Sequence, residues 1–222
     1  MIIVLIIIVV LISLTVLFAG SLNIGWNLYL RSVNRLPGSK EEVMITFDDG
    51  PHPIYTGKVL DLLAKRGVKA LFFMIGERAV ANPEVVKRVA DEGHTIGIHS
   101  MNHTPEFTLL SAERVKADLT RCREVLEEIS GREVILFRPP YVVTNPNIAK
   151  AVREMGLVCV GWSIRSFDTI IKSKRNIIKR VEKRLSPGGI ILLHDSLPGS
   201  VEVVEGVLET IKIRRLNTTV LK

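Results

Sequence analysis

Two adjacent carboxylates, Asp48 and Asp49, close an apolar run in the hexapeptide TFDDGP, and Gly50-Pro51 breaks the chain directly behind them. Further on, His99 and His103 stand four apart in HSMNH, a spacing that one helical turn would bring to one face. Two imidazoles and a carboxylate make the three-ligand set of a catalytic zinc site, whose fourth position stays open for water. A second carboxylate beside it could take a proton, and a further histidine could give one to a leaving group. Arg138, Asp168 and His194 add a cation, an acid and another imidazole. Each has a plainer reading. Asp-Gly and Gly-Pro mark turns, a histidine pair can be surface decoration or core hydrogen bonding, and Arg138 can be an exposed charge on a rigid loop. Asp168 can be a surface residue, and His194-Asp195 a helix cap.

The elements that must carry these residues weigh between the readings. From Val43 onward, short apolar runs rich in β-branched residues alternate with amphipathic segments. Strands are expected at 43–47, 69–76, 95–100, 134–139, 157–164 and 190–195, and their near-continuous apolar character implies burial on both faces, as in a parallel sheet. Helices are expected at 56–66, from Pro83 to Gly93, and at 111–129, 146–155, 174–185 and 201–214. Such alternation indicates an α/β fold, either a barrel or a doubly wound sheet. The polar residues singled out above fall at or just beyond the C-terminal ends of the expected strands, the edge at which both architectures build active sites.

The apolar fraction of 47% over 222 residues is inflated by one end of the chain. Met1 to Gly20 carries no charged side chain and is long enough to cross a bilayer as a helix. Trp26 and Tyr29 follow, as at a headgroup region. Residues 1–30 are therefore read as a retained single-pass anchor, 31–42 as a linker with its hinge at Pro37-Gly38-Ser39, and 43–222 as the catalytic domain. A cleaved signal peptide ending near Ala19-Gly20-Ser21 is the alternative. Arg31 and Arg35 favour a cytoplasmic flank by the positive-inside rule, whereas an envelope function places the domain outside. The formal charge of +7 suits anionic surfaces or acidic wall polymers; no nucleic-acid motif accompanies it, and a monomer is expected. Cys122 and Cys159 are expected as unpaired buried thiols, and His52 and His94 as structural or rim residues.

TFDDGP, HSMNH, FRPPY (137–141), WSIRSFD (162–168) and ILLHD (191–195) occur in the order and approximate spacing of the polysaccharide deacetylases, carbohydrate esterases of family four, which the sequence resembles from Val43 to about Asp195. The resemblance implies a distorted, incomplete (β/α) barrel. It also implies a divalent metal, usually zinc with cobalt or another ion as substitute, held by Asp49, His99 and His103. By the same resemblance Asp48 would be the base, Arg138 its tether, His194 the acid, Asp168 the partner of that imidazole, and the Tyr141 N–H the oxyanion donor. Pro140, Tyr141, Trp162 and Arg165 would line the sugar groove.

Two departures accompany the match. Val142 stands where the family usually has glycine, and is strained if that position needs positive φ. Arg165 and Thr169 replace residues of an Asp-x-x-Asp-Trp stretch, which removes an aromatic wall and offers a cation to an anionic substrate. The expected activity is removal of N-acetyl groups from an amino-sugar polymer, foremost peptidoglycan. The alternatives are deacylation of a lipid-linked sugar and a non-catalytic glycan-binding relative. All the groups that a dead relative tends to lose are present in this chain.

Overall fold

The run Val43–Phe47 is buried on both faces because it lies at the centre of the sheet. The computed structural model describes residues 1–221. In it, β2 (Glu42–Gly50) pairs in parallel with β3 (Leu71–Met74) on one side and β8 (Ile190–His194) on the other. Beyond β3 follow β4 (Thr95–Ile98), β5 (Leu136–Phe137), β6 (Val158–Val160) and β1 (Ser32–Val33); beyond β8 lies β7 (Ile164–Arg165). A short β9 (Asn217–Thr218) pairs with the first residues of β2.

Alternation along β2 divides the core into two. Met44 joins Leu71, Phe73, Leu136, Val160 and Ile190 inside the sheet's curve. Val43, Ile45 and Phe47 face outward to the helices. This is the period of two that a strand imposes on its side chains. The helices are α2 (Tyr55–Arg66), α3 (Gly76–Ala81), α4 (Pro83–Asp91), α5 (Ala112–Ser130), α6 (Pro146–Glu154), α7 (Lys174–Arg184) and α8 (Ser200–Ile213). Pro83 and Pro146 sit in first turns, Ser111 and Asn145 cap α5 and α6, and Gly67 and Gly131 end α2 and α5 in the left-handed conformation.

The structure revises several expected boundaries. The segment 31–42, expected as a linker, is built into the sheet: Ser32 and Val33 pair with Cys159 and Val160, Arg35 bridges Gly189, and the Leu36 N–H donates to Gly188 O at 2.8 Å. The chain thus crosses from β1 at one end of the sheet to the start of β8 near the other, and curls the sheet into an incomplete barrel. The run 157–164, expected as one strand, is two, interrupted at Gly161, where an added Cβ would lie 2.0 Å from Asn34 Oδ1. The strand expected over 134–139 is confined to Leu136–Phe137, and α3 and β9 carried no periodic signal.

At the N-terminus, α1 (Ile2–Leu22) is one 21-residue helix with almost every side chain exposed. At 1.5 Å per residue it is about 32 Å long, enough for the hydrocarbon core of a bilayer.

Candidate metal centre and active site

Neighbouring side chains on a strand point to opposite faces, so Asp48 and Asp49 can share a site only if the strand is broken between them. Asp48 continues the inward face of Met44 and Thr46 and is buried. Its Cα is the register partner of His194 on β8, which sets the two residues on adjacent strands, about 4.8 Å apart. The β2–β3 register shifts between Phe47 and Gly50, and Asp49 takes φ 68°, a value rare outside glycine. That local twist brings the second carboxylate onto the same mouth. Gly50 has no room for a side chain, since a Cβ there would lie 2.6 Å from Asp195 Oδ2.

Asp49 meets the two histidines of HSMNH. Its Oδ1 lies 3.4 Å from His99 Nε2 and 3.3 Å from His103 Nε2, and the donor atoms of all three lie within 4.8 Å of one another. The histidines are not on a helix, as their spacing suggested. Positive φ at Ser100 (68°) and His103 (51°) coils the segment back after β4, leaving the rings 4.9 Å apart. The set fits a metal ion on two counts. Ligands about 2.1 Å from a tetrahedral zinc lie roughly 3.4 Å from each other. His99 Nδ1 lies 2.8 Å from Arg138 O, an oxygen that can only accept; Nδ1 therefore carries the proton and Nε2 presents its lone pair. Burial and the nearby His99 lower the His103 pKa and favour the neutral imidazole a ligand must be. Burial alone would raise the Asp49 carboxyl, but the hydrogen bond and charge of His99, with the charges of His194 and His103, hold it well below the usual carboxylate range.

Arg138 is the largest fully buried side chain. Nη1 donates to Asp48 Oδ1 and to Thr46 Oγ1, both at 2.7 Å. Nε and Nη2 donate to Val160 O and Gly161 O, and the guanidinium lies 4.3 Å from the Phe73 ring centroid. Opposite it, His194 Nδ1 lies 2.8 Å from Asp168 Oδ1, while Asp168 Oδ2 accepts from the His194 N–H. Burial lowers the imidazole's pKa, but Asp168, then Asp48 and Asp49, outweigh it and raise the value to about 9. His194 Nε2 lies 3.8 Å from Asp49 Oδ2.

The loop leaving β5 frames the other side. Tyr141 (φ 56°) and Val142 (φ 71°) both occupy the left-handed region, so valine does stand where glycine would be unstrained. The Tyr141 ring packs 4.6 Å from that of His103, and its hydroxyl donates to His103 O. Pro140 is buried and shapes the loop from within. Trp162 is half-buried, its ring 5.6 Å from the Arg138 guanidinium and 5.8 Å from that of Arg165. Arg165 also lies over Phe167. A pocket of about 290 Å³ adjoins Asp168, Thr169 and His194 and is floored by Leu193, Leu197 and Val203.

Four supporting residues escaped the sequence reading. Thr46 links Arg138 to the Ile191 carbonyl, and Ser166 donates to Asp168. Thr56 donates to the buried Asp195 carboxyl, whose pKa burial raises to about 6. Thr46, Ser166 and Asp195 lie inside quoted motifs, so their position was a usable signal; Thr56 had none. His52 accepts from the backbone of residues 54 and 55 and His94 from Ala70, in the structural roles expected of them. Cys122 and Cys159 are free and buried.

A curled parallel half-barrel that sets a metal-competent Asp-His-His group beside a register-paired aspartate and histidine at its C-terminal mouth has the groups a metal-assisted amide hydrolase uses. The chain belongs to the polysaccharide deacetylase family, whose profile matches residues 35–160. A peptidoglycan-N-acetylglucosamine deacetylase of Bacillus cereus is 35% identical over 182 residues, 80% of this chain and 66% of that protein. A second protein of the same name and organism is 40% identical over 162 residues, 72% of this chain and 75% of its own. The chitooligosaccharide deacetylase of Azorhizobium caulinodans is 34% identical over 165 residues, covering 74% and 78% of the two chains. Among solved structures, the Bc1960 peptidoglycan N-acetylglucosamine deacetylase superposes with TM-score 0.79 at 33% identity, over 85% of this chain and 89% of that one. By family, the chain is a hydrolase of carbon–nitrogen bonds other than peptide bonds.

Proposed function

We propose that the protein removes the N-acetyl group from an amino sugar of a cell-envelope glycan, with N-acetylglucosamine of peptidoglycan as the sugar unit to which the names of its relatives point. The observation that carries this reading is the register pairing of Asp48 with His194 beside the Asp49–His99–His103 set. When bound there, a divalent ion, zinc by the character of the donors, makes water a stronger acid and the acetyl carbonyl a better electrophile.

The chain's own groups do the rest. Asp48 takes a proton from the attacking water, and Arg138 holds that carboxylate in place through a 2.7 Å hydrogen bond. As the water oxygen bonds to the carbonyl carbon, negative charge grows on the carbonyl oxygen, and the Tyr141 N–H is the proposed donor to it, a kind of contact worth about 3 kcal/mol. When the carbon–nitrogen bond breaks, His194 gives its proton to the departing nitrogen, and acetate and a free amine result. Asp168 supports this by keeping the imidazole charged and oriented.

The test offers the purified full-length protein N-acetylated glycans and measures acetate release, with and without chelator. Release that chelation abolishes and zinc restores is expected. Asp48→Asn should lose more than about 10³-fold in kcat while keeping its metal, and Asp49→Ala should lose the metal itself. Equal metal content in the two variants would overturn this division of labour.

A further inference from the structure

The chain does not hang loose from α1. Ser21 O accepts from the Thr144 N–H at 2.9 Å, and Thr144 is buried. Tyr29 Oη donates to Leu17 O, Leu28 covers Gly20, where a Cβ would lie 2.2 Å from Leu28 Cδ2, and Ile24 and Leu30 are part of the main core. The last turn of the apolar helix is thus bolted to the domain.

The point of attachment bears on the substrate. Thr144 ends the loop that carries Arg138 and Tyr141, and Tyr141 packs against His103. Three residues of chain, at most roughly 11 Å, separate Tyr141 from Thr144. The foot of α1 and the mouth of the site therefore share the C-terminal edge of the sheet. Apolar side chains stand in solvent around that foot: Trp26 and Leu28 are exposed, and Leu109 is 84% exposed. Leu109 ends a 3-10 turn whose Thr108 O accepts from Asn145, the residue after Thr144. An aromatic and two leucines at the base of a spanning helix suit the bilayer interface.

We propose that the substrate is an acetamido sugar still carried on a membrane lipid, presented to a catalytic mouth that α1 fixes against the headgroups. This rests on the deacetylase reading above and adds the stage at which the sugar is met: before its transfer to the mature wall. A rigid mount raises the effective concentration only of sites within its reach, and excludes those that lie beyond it.

Full-length protein in phospholipid vesicles decides the matter. It is given either N-acetylglucosamine on a polyprenyl diphosphate in the same bilayer or a soluble chitopentaose, and acetate is measured. We expect kcat/KM at least about tenfold higher on the lipid-linked sugar. Inserting a flexible stretch of about 12 Gly/Ser residues between Phe18 and Ala19, roughly 19 Å in mean span, should cut that activity about tenfold and spare the soluble substrate. A nitroxide at Leu109→Cys should report headgroup depth in the unmodified mount and water in the insertion variant. Equal activity on both substrates, an insertion without effect, or a label in water from the start overturns the proposal. Acetate from the soluble glycan alone rejects it and leaves the deacetylase reading standing, whereas no acetate from either rejects both.

Discussion

Arg138 shows what a single buried charge does here. All its hydrogen-bonding nitrogens are engaged, and Asp48 is its buried ion partner. Removing one member of such a pair leaves the other charge buried and unpaired, which costs about 3–5 kcal/mol. Arg138→Met is therefore expected to lower stability by that amount in chemical denaturation and to abolish turnover. Arg138→Lys should retain the charge, lose the bonds to Val160 and Gly161, and fall between the two. His194 gives a prediction in pH. A general acid must begin protonated, so activity should fall as pH rises through about 9. Asp168→Asn removes the main group raising that value and should move the alkaline limb of kcat/KM down by about one to two units; an unmoved limb would assign it to another group. The stability linkage has the same sign. A raised imidazole pKa stabilises the fold fully below the ordinary value of 6.5, and that contribution is lost as pH climbs towards about 9.

The loop leaving β5 is where element geometry and residue type disagree. Val142 at φ 71° is a β-branched residue in the left-handed region, a conformation that costs about 1–2 kcal/mol for an L side chain. Val142→Gly relieves that strain but gives up about 1 kcal/mol to backbone entropy and a similar amount in partial packing against the core. The substitution is thus expected to change stability by less than about 1 kcal/mol, where Val→Gly at an unstrained position of equal burial costs about 2; thermal unfolding of the two proteins checks it. This loop also marks how far the sequence could be read. FRPPY and the strand before it were legible because apolar runs and prolines leave a local signature, as did Pro83 and Pro146 in the first turns of α4 and α6. The conformations of Asp49, Ser100 and His103 were not, because each is a non-glycine residue at positive φ, which nothing in the local sequence marks. Hence the DDG pair and the HSMNH pair could be recognised as partners while the turns that join them could not, and the two histidines reach one point through a coil rather than a helical turn. Thr56 acts only through Asp195, a partner distant in sequence that the pairing of β2 with β8 brings near.

At the scale of the whole molecule, an edge strand of the sheet and part of the core are built by residues that the sequence pattern assigned to an anchor and a linker. Ile24 and Leu30 are 3% and 6% exposed, and burying an aliphatic side chain of this size is worth about 2 kcal/mol. Ser32 adds a hydrogen bond to Ile24 O and a strand pairing to Cys159. A chain shortened to begin at Gly20 keeps all of these and loses only the exposed apolar helix with its one hydrogen bond from Tyr29 Oη to Leu17 O. It should fold, dissolve and melt close to the full-length protein. A chain begun at Arg31, where composition alone would place the end of the anchor, gives up Ile24, Leu30 and the Ser21 acceptor of Thr144. It should lose about 4 kcal/mol, a large part of the 5–15 kcal/mol that holds a domain together. Because Thr144 ends the loop bearing Tyr141, its catalytic loss should exceed what global unfolding explains. Parallel measurement of unfolding midpoint and kcat for the two truncations separates these effects. If both melted and turned over alike, the segment between the helix and β1 would be a passive tether after all.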